Sequence, residues 1–546
     1  MNDGSRLIPA SARRTTLVLL ASGWLALPAF GHGLGQSTAT RDFKKTLTIG
    51  ENQTFSLEHK FGDVRIHSEN TREVKIAATI RVQSHSPEEA GKFADEVKIE
   101  VTQDSTGIKV RTVYPNELSG GAKFSWKSSS FSADYDISLP ADAKLWMRNN
   151  FGNVEIRGVR GWADLENGHG RLAVQDGGPA KLVNSFGSVE LTGADGGVTI
   201  VNTNGSVSAT AVKGTLDIKD RFASITVNNV QGAVTISGGN GSVEVVDAGG
   251  TKITNSFGSV NARNIRGELV VSDNNGAIEV NGVSGGTQLN TSFGSINFSN
   301  VNGAVKCTSS NGRVHGNQAG GEVYVKTTFG EVSLEQMNGP VEVQDSNGGI
   351  VIRDIKGKAT LNTSFGGIEA SGLPKGVRAT TGNGRISLTD VGGDVYAKTS
   401  FGAVTVQRVS GNLTIENANG PVSANAVKGD ISARTSFGAV TLEDVSGAIA
   451  VDNQNGVVTV SAARVESSCR TISLKTSFSP LQLRLPEDAN YQLTARTSFG
   501  HISSELPISS TGVISTESLN GKIGNGGCTL SLTNSNGNIE ILKANR

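Results

Sequence analysis

From residue 187 to residue 456 the chain alternates with a period of two. In GNLTIENANG (411–420), Leu413, Ile415, Asn417 and Asn419 share one side of an extended chain, and Thr414 and Glu416 share the other. In GDISARTSFG (429–438), Ile431, Ala433, Thr435 and Phe437 share a side in the same way. Such alternation, apolar on one side, predicts half-buried strands. Glycine interrupts it nearly every nine residues, as at Gly187, Gly196, Gly205, Gly214, Gly232 and Gly241. Ala223 takes one of these slots, Gly376 is displaced by one, and one step near Gly249 is a residue short. Each unit therefore reads as one strand and one tight turn, with glycine where φ is positive or backbones pack closely.

A longer period lies over this one. The phenylalanines of FG, or of FA at one site, fall at 151, 186, 222, 257, 293, 329, 365, 401 and 437, in steps of 35 or 36 residues. Midway between them comes Asn-Gly, at Asn204, Asn240, Asn275, Asn311, Asn347, Asn383, Asn419 and Asn455. Asn-Gly is also a hairpin signal, but an antiparallel meander would need roughly thirty strands where open sheets rarely exceed ~10. A solenoid has no such limit, because each coil stacks on its neighbour. A four-unit coil would have an interior too wide for Val, Leu and Ala to fill at native density. Two sheets facing at ~10 Å are filled by them. The fold expected is therefore all-β, a single-stranded β-solenoid (β-helix) with coils of about 18 residues, with a three-sided coil as the variant. About 17 coils at ~4.8 Å each make a rod of roughly 80 Å. On continued alternation, the residue before each corner glycine points inward: Phe plugs the end of the core and Asn bonds backbone groups at the bend. The competing reading makes them a ligand-binding array.

The ends of the chain differ from this ladder. Arg6, Arg13 and Arg14 precede an apolar run from Leu17 to Leu27, then small residues around Ala29–Gly31, so 1–31 reads as a secretory signal peptide. Residues 32–45 read as linker and 46–140 as an α+β N-terminal cap, covering an otherwise exposed sheet edge. The cap contains one helix, in SPEEAGKFADEVKIEV, where Ser86 can cap, Pro87 starts the turn and Glu88 and Glu89 suit a helix N-terminus. The regular solenoid is placed at 141–466, and an irregular insertion, last coils and a C-terminal cap at 467–546. The phrase SLPADAKLWMRNNFGNVEI (138–156) returns as RLPEDANYQLTARTSFGHI (484–502), so the ladder resumes before GNGGCTLSLTNSNGNIEI ends it.

Composition narrows the function. Gly is 69 of 546 residues but Pro only 12, which excludes collagen and Pro/Gly-rich disorder. Basic and acidic residues number 50 each, and removal of 1–31 takes three arginines and one aspartate, leaving two net negative charges. No basic stripe exists for nucleic acid. The apolar run of the signal is too short to span a bilayer, so no stable membrane insertion is expected after cleavage. Three cysteines allow at most one internal disulfide. Cys307 falls at an inward position, and Cys469 and Cys528 are a candidate pair.

The polar residues assemble no recognisable chemistry. No Cys/His spacing suits zinc, and the repeat lacks the Asp of calcium-binding nonapeptides. Glycosidases need two carboxylates at a set separation. The inward acids Asp273 and Asp345 occupy the slot that Asn202, Asn417 and Asn453 fill elsewhere, so they read as corner variants. Glu190, Glu244 and Glu279 face outward, and His32, His315 and His501 are isolated. No catalytic, cofactor-binding or metal site is expected.

The phrases KFGDVRI, YDISLPADAKL, the NGxV and FGxV units, the helix-bearing cap and the closing TNSNGNIEI together resemble a bacterial family named putative adhesins, a domain of unknown function with a β-solenoid fold. The resemblance covers roughly 46–546. The resemblance implies the fold; with the signal peptide and the missing catalytic set, the expectation is an exported, periplasmic or cell-surface protein that is not an enzyme and presents an extended polar surface for adhesion or as an envelope scaffold. The expected partner is a cell-surface glycan or an envelope protein. The alternatives are a carbohydrate-active β-helix enzyme and a periplasmic envelope-stress sensing module.

Overall fold

The computed structural model describes residues 37–115, 130–462, 470–510 and 515–544. The expected signal peptide lies outside them, as does Cys469.

The chain is a two-sheet solenoid with one strand of each sheet per coil. In one coil Val404–Val409 lies in the first sheet and Leu413–Asn417 in the second. The next coil lays Val422–Val427 on the first strand and Ile431–Thr435 on the second, in parallel register 18 residues apart. The expected two-sided coil is the one found. Val404, Val406, Val409, Leu413 and Ile415 are buried, and their equivalents in every coil build one continuous core.

Two bends close each coil. The first lies inside the first-sheet strand, where one residue per coil takes the left-handed conformation: Asn300, Gln318, Gln336, Asp354, Asp390, Arg408, Ala426 and Asp444 all have φ between 53° and 59°. That residue reverses the alternation, so Gln407 and Arg408 both face out before Val409 returns to the core. Asn and Asp tolerate this conformation better than other side chains. The second bend holds the phenylalanines. There the glycines stack directly: a Cβ built on Gly402 would collide with the carbonyl of Gly384, one coil below. At Gly402 close approach alone requires glycine, whereas at the equivalent Gly152, Gly170, Gly187, Gly205 and Gly258 a positive φ requires it as well.

The N-terminal segment contributes to the rod as well as covering it. Thr54–Glu58 and Val64–Glu69 stack in parallel on Lys144–Phe151 and Val154–Arg157, forming a coil of their own. Ser37–Thr48 is strand, antiparallel to Glu73–Ser84, so the expected linker is largely an ordered part of the sheet. The cap helix, Pro87–Glu96, begins at the predicted place, with the Ser86 hydroxyl accepting from the Glu89 N–H.

The far end is topologically unexpected. Ile472–Lys475 and Leu481–Leu485 form a regular coil within the span expected to be irregular. The last strands, Cys528–Thr533 and Ile539–Lys543, do not stack after Tyr491–Arg496 and Ile502–Ser504. They insert between these and the Ile472–Leu485 coil, pairing in parallel on both sides. A hairpin partner, Ser518–Ile523, covers the free edge of Tyr491–Arg496 in antiparallel sense.

Candidate functional site: a column of exposed phenylalanines

The bend that carries Phe starts from a buried polar residue. Asn417 donates through Nδ2 to the carbonyls of Gly402 (2.9 Å) and Gly420 (2.8 Å), and its Oδ1 accepts from the Gly420 N–H (3.2 Å). Thr399 has the same role in the preceding coil, donating to the Gly384 carbonyl (3.1 Å) and accepting from the Gly402 N–H (3.3 Å). These are Asx and Ser/Thr turns, which tie each bend to the coil beneath it. The tight turn ends the strand alternation two residues before Phe.

The consequence corrects the sequence reading. Phe and Asn before the corner glycine do not plug the core; they stand outside it. Phe151, Phe186, Phe222, Phe257, Phe293 and Phe329 are exposed, and so are Phe365, Phe401, Phe437, Phe478 and Phe499. Among the described residues they are eleven of the thirteen large exposed hydrophobics, so that apolar surface is concentrated on one edge. Asn419 and Asn455, also outside, fold down to donate to the Ser400 and Ser436 carbonyls of the coil below, at 3.2 and 3.3 Å.

The column begins in the cap. Phe61 stacks on Phe151 (ring centroids 5.3 Å), Phe151 on His169 (4.5 Å) and His169 on Phe186 (4.7 Å). Beyond that point Asn replaces His, and each Phe loses its ring neighbours. Exposure rises accordingly, from 42% at Phe151 to 61–65% between Phe293 and Phe437. At the far end the alternation holds in space, not in sequence. The Ser477 N–H donates to the Gln454 carbonyl, the Asn536 N–H to the Ser477 carbonyl and the Phe499 N–H to the Ser535 carbonyl, which places Asn455, Phe478, Asn536 and Phe499 in that order. Without the inserted strand, Phe478 would adjoin Phe499.

The acids do not converge. Asp273 and Asp345 are buried in the Asn/Thr column, as expected for corner variants, and Asp220, which the sequence reading did not single out, is buried there too. They are three and four coils apart, about 14 and 19 Å at ~4.8 Å per coil, whereas glycosidase carboxylates lie ~5–10 Å apart. Burial raises the carboxyls of Asp220 and Asp345 above the ordinary range, partly offset by backbone N–H donors of their own turns. Glu190 is held by Arg171, and Glu279 accepts from Asn261 at 3.5 Å. Among the described residues no group of three His, Cys, Asp or Glu could hold a metal. In the cap, His59 bonds the Thr112 hydroxyl (3.1 Å), and burial lowers it to about 4, so it is neutral at physiological pH.

His315, isolated in sequence, joins a shallow depression of about 360 Å³ on the first sheet, with Asn261, Glu279, Asn297 and Asn317. Cys307 is buried, and burial pushes its thiol up. Cys528 is disulfide-bonded. No described helix is long and apolar enough to cross a membrane.

The family model described as Toastrack DUF4097 matches residues 373–542, under a third of the chain. Over those residues the resemblance drawn from sequence holds: an unknown-function domain of β-solenoid fold. A crystal structure of a putative cell adhesion protein from Clostridium sporogenes aligns over 48% of this chain and 99% of its own, at 10% identity and a TM-score of 0.15. No curated protein matches.

Proposed function

We propose that the protein is an exported, non-enzymatic β-solenoid whose polar sheet faces bind a cell-surface glycan, as an adhesin or envelope scaffold does. The observation that carries this reading is the amide-rich depression on the first sheet. Asn261, Asn281, Asn297 and Asn317, with Arg263, Glu279 and His315, line one open surface across four coils. Primary amides donate and accept at once, which suits hydroxyls that do the same. The surface is shallow and open, as binding along an extended polymer requires, and it lacks the paired acids of hydrolysis. The disulfide at Cys528 supports an oxidising compartment, in keeping with the signal-like N-terminus.

The test is a glycan array probed with the protein and with an Asn281→Ala/Asn297→Ala variant. Binding of a glycan class that the variant loses, without turnover, is expected. Turnover of a bound glycan, or glycan binding indifferent to both substitutions, would overturn the reading.

A further inference from the structure

We infer that the phenylalanine column is a self-association surface on which a second copy of this chain docks, its rings entering the notches above the asparagines. Three observations point to this occupant. The first is area. Eleven rings that are 42–77% exposed present on the order of 100 Å² each, given the ~150–250 Å² that a Phe can bury. The column thus offers roughly 1,000 Å², against the ~800 Å² per partner of a stable interface. Eight of the eleven in contact would suffice.

The second is shape. Each Phe between 293 and 437 has Asn, not an aromatic ring, on both sides. Asn311, Asn347 and Asn419 are drawn down onto the coil below by the Ser292 (3.4 Å), Thr328 (3.0 Å) and Ser400 (3.2 Å) carbonyls. A recess therefore lies between successive rings, which are two coils, or about 10 Å, apart. A glycan or an arbitrary protein meets one or two such recesses. A column with the same two-coil period meets all of them, and two-fold symmetry makes the patch complementary to itself. The order Asn455, Phe478, Asn536, Phe499 extends that period to the last coils despite the swapped chain path.

The third is charge. The residues preceding the column positions from Phe293 to Asn455 are Ser292, Ser310, Thr328, Ser346, Ser364, Gly382, Ser400, Ala418, Ser436 and Gln454, all uncharged. On the other flank, after the corner glycines of the same span, only Arg313, Glu331 and Arg385 carry charge, so charge is sparse around the exposed rings, as in an interface core. Small flanks also let two rods approach closely.

Sedimentation velocity of the full chain tests this. A species of twice the 56.7 kDa chain mass, dissociating on dilution, is expected at micromolar concentration. The triple variant Phe329→Ser/Phe365→Ser/Phe401→Ser removes exposed rings. It should keep its circular dichroism and melting profile while associating roughly 100-fold more weakly or worse. A second variant, Asn347→Phe/Asn383→Phe, adds apolar surface but fills two recesses. Interlocking predicts weaker association for it, and unspecific stickiness predicts stronger. A monomeric parent, a dimer indifferent to the serines, or a dimer strengthened by the added rings would each overturn the inference.

Discussion

Phe298 and Gly316 offer a quantitative test of how the core is packed. Their column in the first sheet otherwise holds Val, Leu, Ile or Ala, as at Val280 and Leu334 on either side. Here the ring is 2% exposed and faces a glycine in the next coil, and a Cβ built on Gly316 would overlap the ring. One large and one absent side chain thus replace two of medium size. Phe298→Val leaves a void, and with Phe→Ala costing ~3–5 kcal/mol the smaller deletion should cost about 2–4 kcal/mol. Gly316→Val forces the ring aside, at about 1–3 kcal/mol or more. The double variant restores two valines, the packing of ordinary coils, and should lie within ~1.5 kcal/mol of the parent. The two single losses sum to about 3–7 kcal/mol, so the predicted coupling is about 1.5–7 kcal/mol in the favourable direction. Guanidinium denaturation followed by circular dichroism on the parent, both singles and the double measures it. Additive losses in the double variant would show that the two positions do not share one space.

Two further substitutions probe the bends. Asp345 sits in the Asn/Thr column with Oδ2 unpartnered and its carboxyl raised by burial. Asp345→Asn can donate to the Gly330 and Gly348 carbonyls, as Asn417 does to its own pair. A raised folded-state value means that the carboxyl's contribution is present in acid and lost as pH rises through that value. The variant should exceed the parent by about 1–3 kcal/mol at neutral pH, with the gap closing as pH falls toward 4; a gap independent of pH in melting experiments would refute this. Ala426 adopts φ 57°, which costs a side chain without local bonding ~1–2 kcal/mol. Ala426→Asn should therefore raise stability by up to about 1 kcal/mol, and a lower denaturation midpoint would contradict the assignment.

The period and the inward apolar set were legible from spacing, the two-sided coil from the width that Val, Leu and Ala can fill, and the cap helix from its first residues, Ser86 to Glu89. The direction of the phenylalanines was not. Continuing the alternation through Ile415 and Asn417 places Asn419 inside, but the Asn417 side chain curls the chain first and sends Asn419 out. The signal was present: Asn, Asp, Thr or Ser recurs two residues before every Phe of the ladder and every Asn but Asn240, which has Gly238 there, the mark of a side-chain-closed turn. The left-handed bend left a similar trace in Asp390, Asp354 and Asn300, one residue before a buried Val, Ile or Leu. That trace is diluted, since Arg408 and Ala426 fill the same slot. The inserted final strand was illegible for another reason. A parallel rung is satisfied by any neighbour of matching alternation, so sequence order does not dictate stacking order.

The central claim is that the rod is a stack of self-contained 18-residue coils whose outer edge repeats every two, and small-angle scattering on three deletions tests it most directly. Removing Phe365–Ser400 joins Ser364 to Phe401, preserving both the coil and the Phe/Asn alternation. Removing Asn383–Ser400 joins Gly382 to Phe401, preserving the coil but setting Phe365 beside Phe401. Removing nine residues, Gly392–Ser400, joins Val391 to Phe401 and sets strands of one sheet against the other. The account predicts that the first two fold into rods shortened by about 10 and 5 Å and that the third loses its solenoid. A folded nine-residue deletion, or an unfolded deletion of either whole-coil segment, would contradict it.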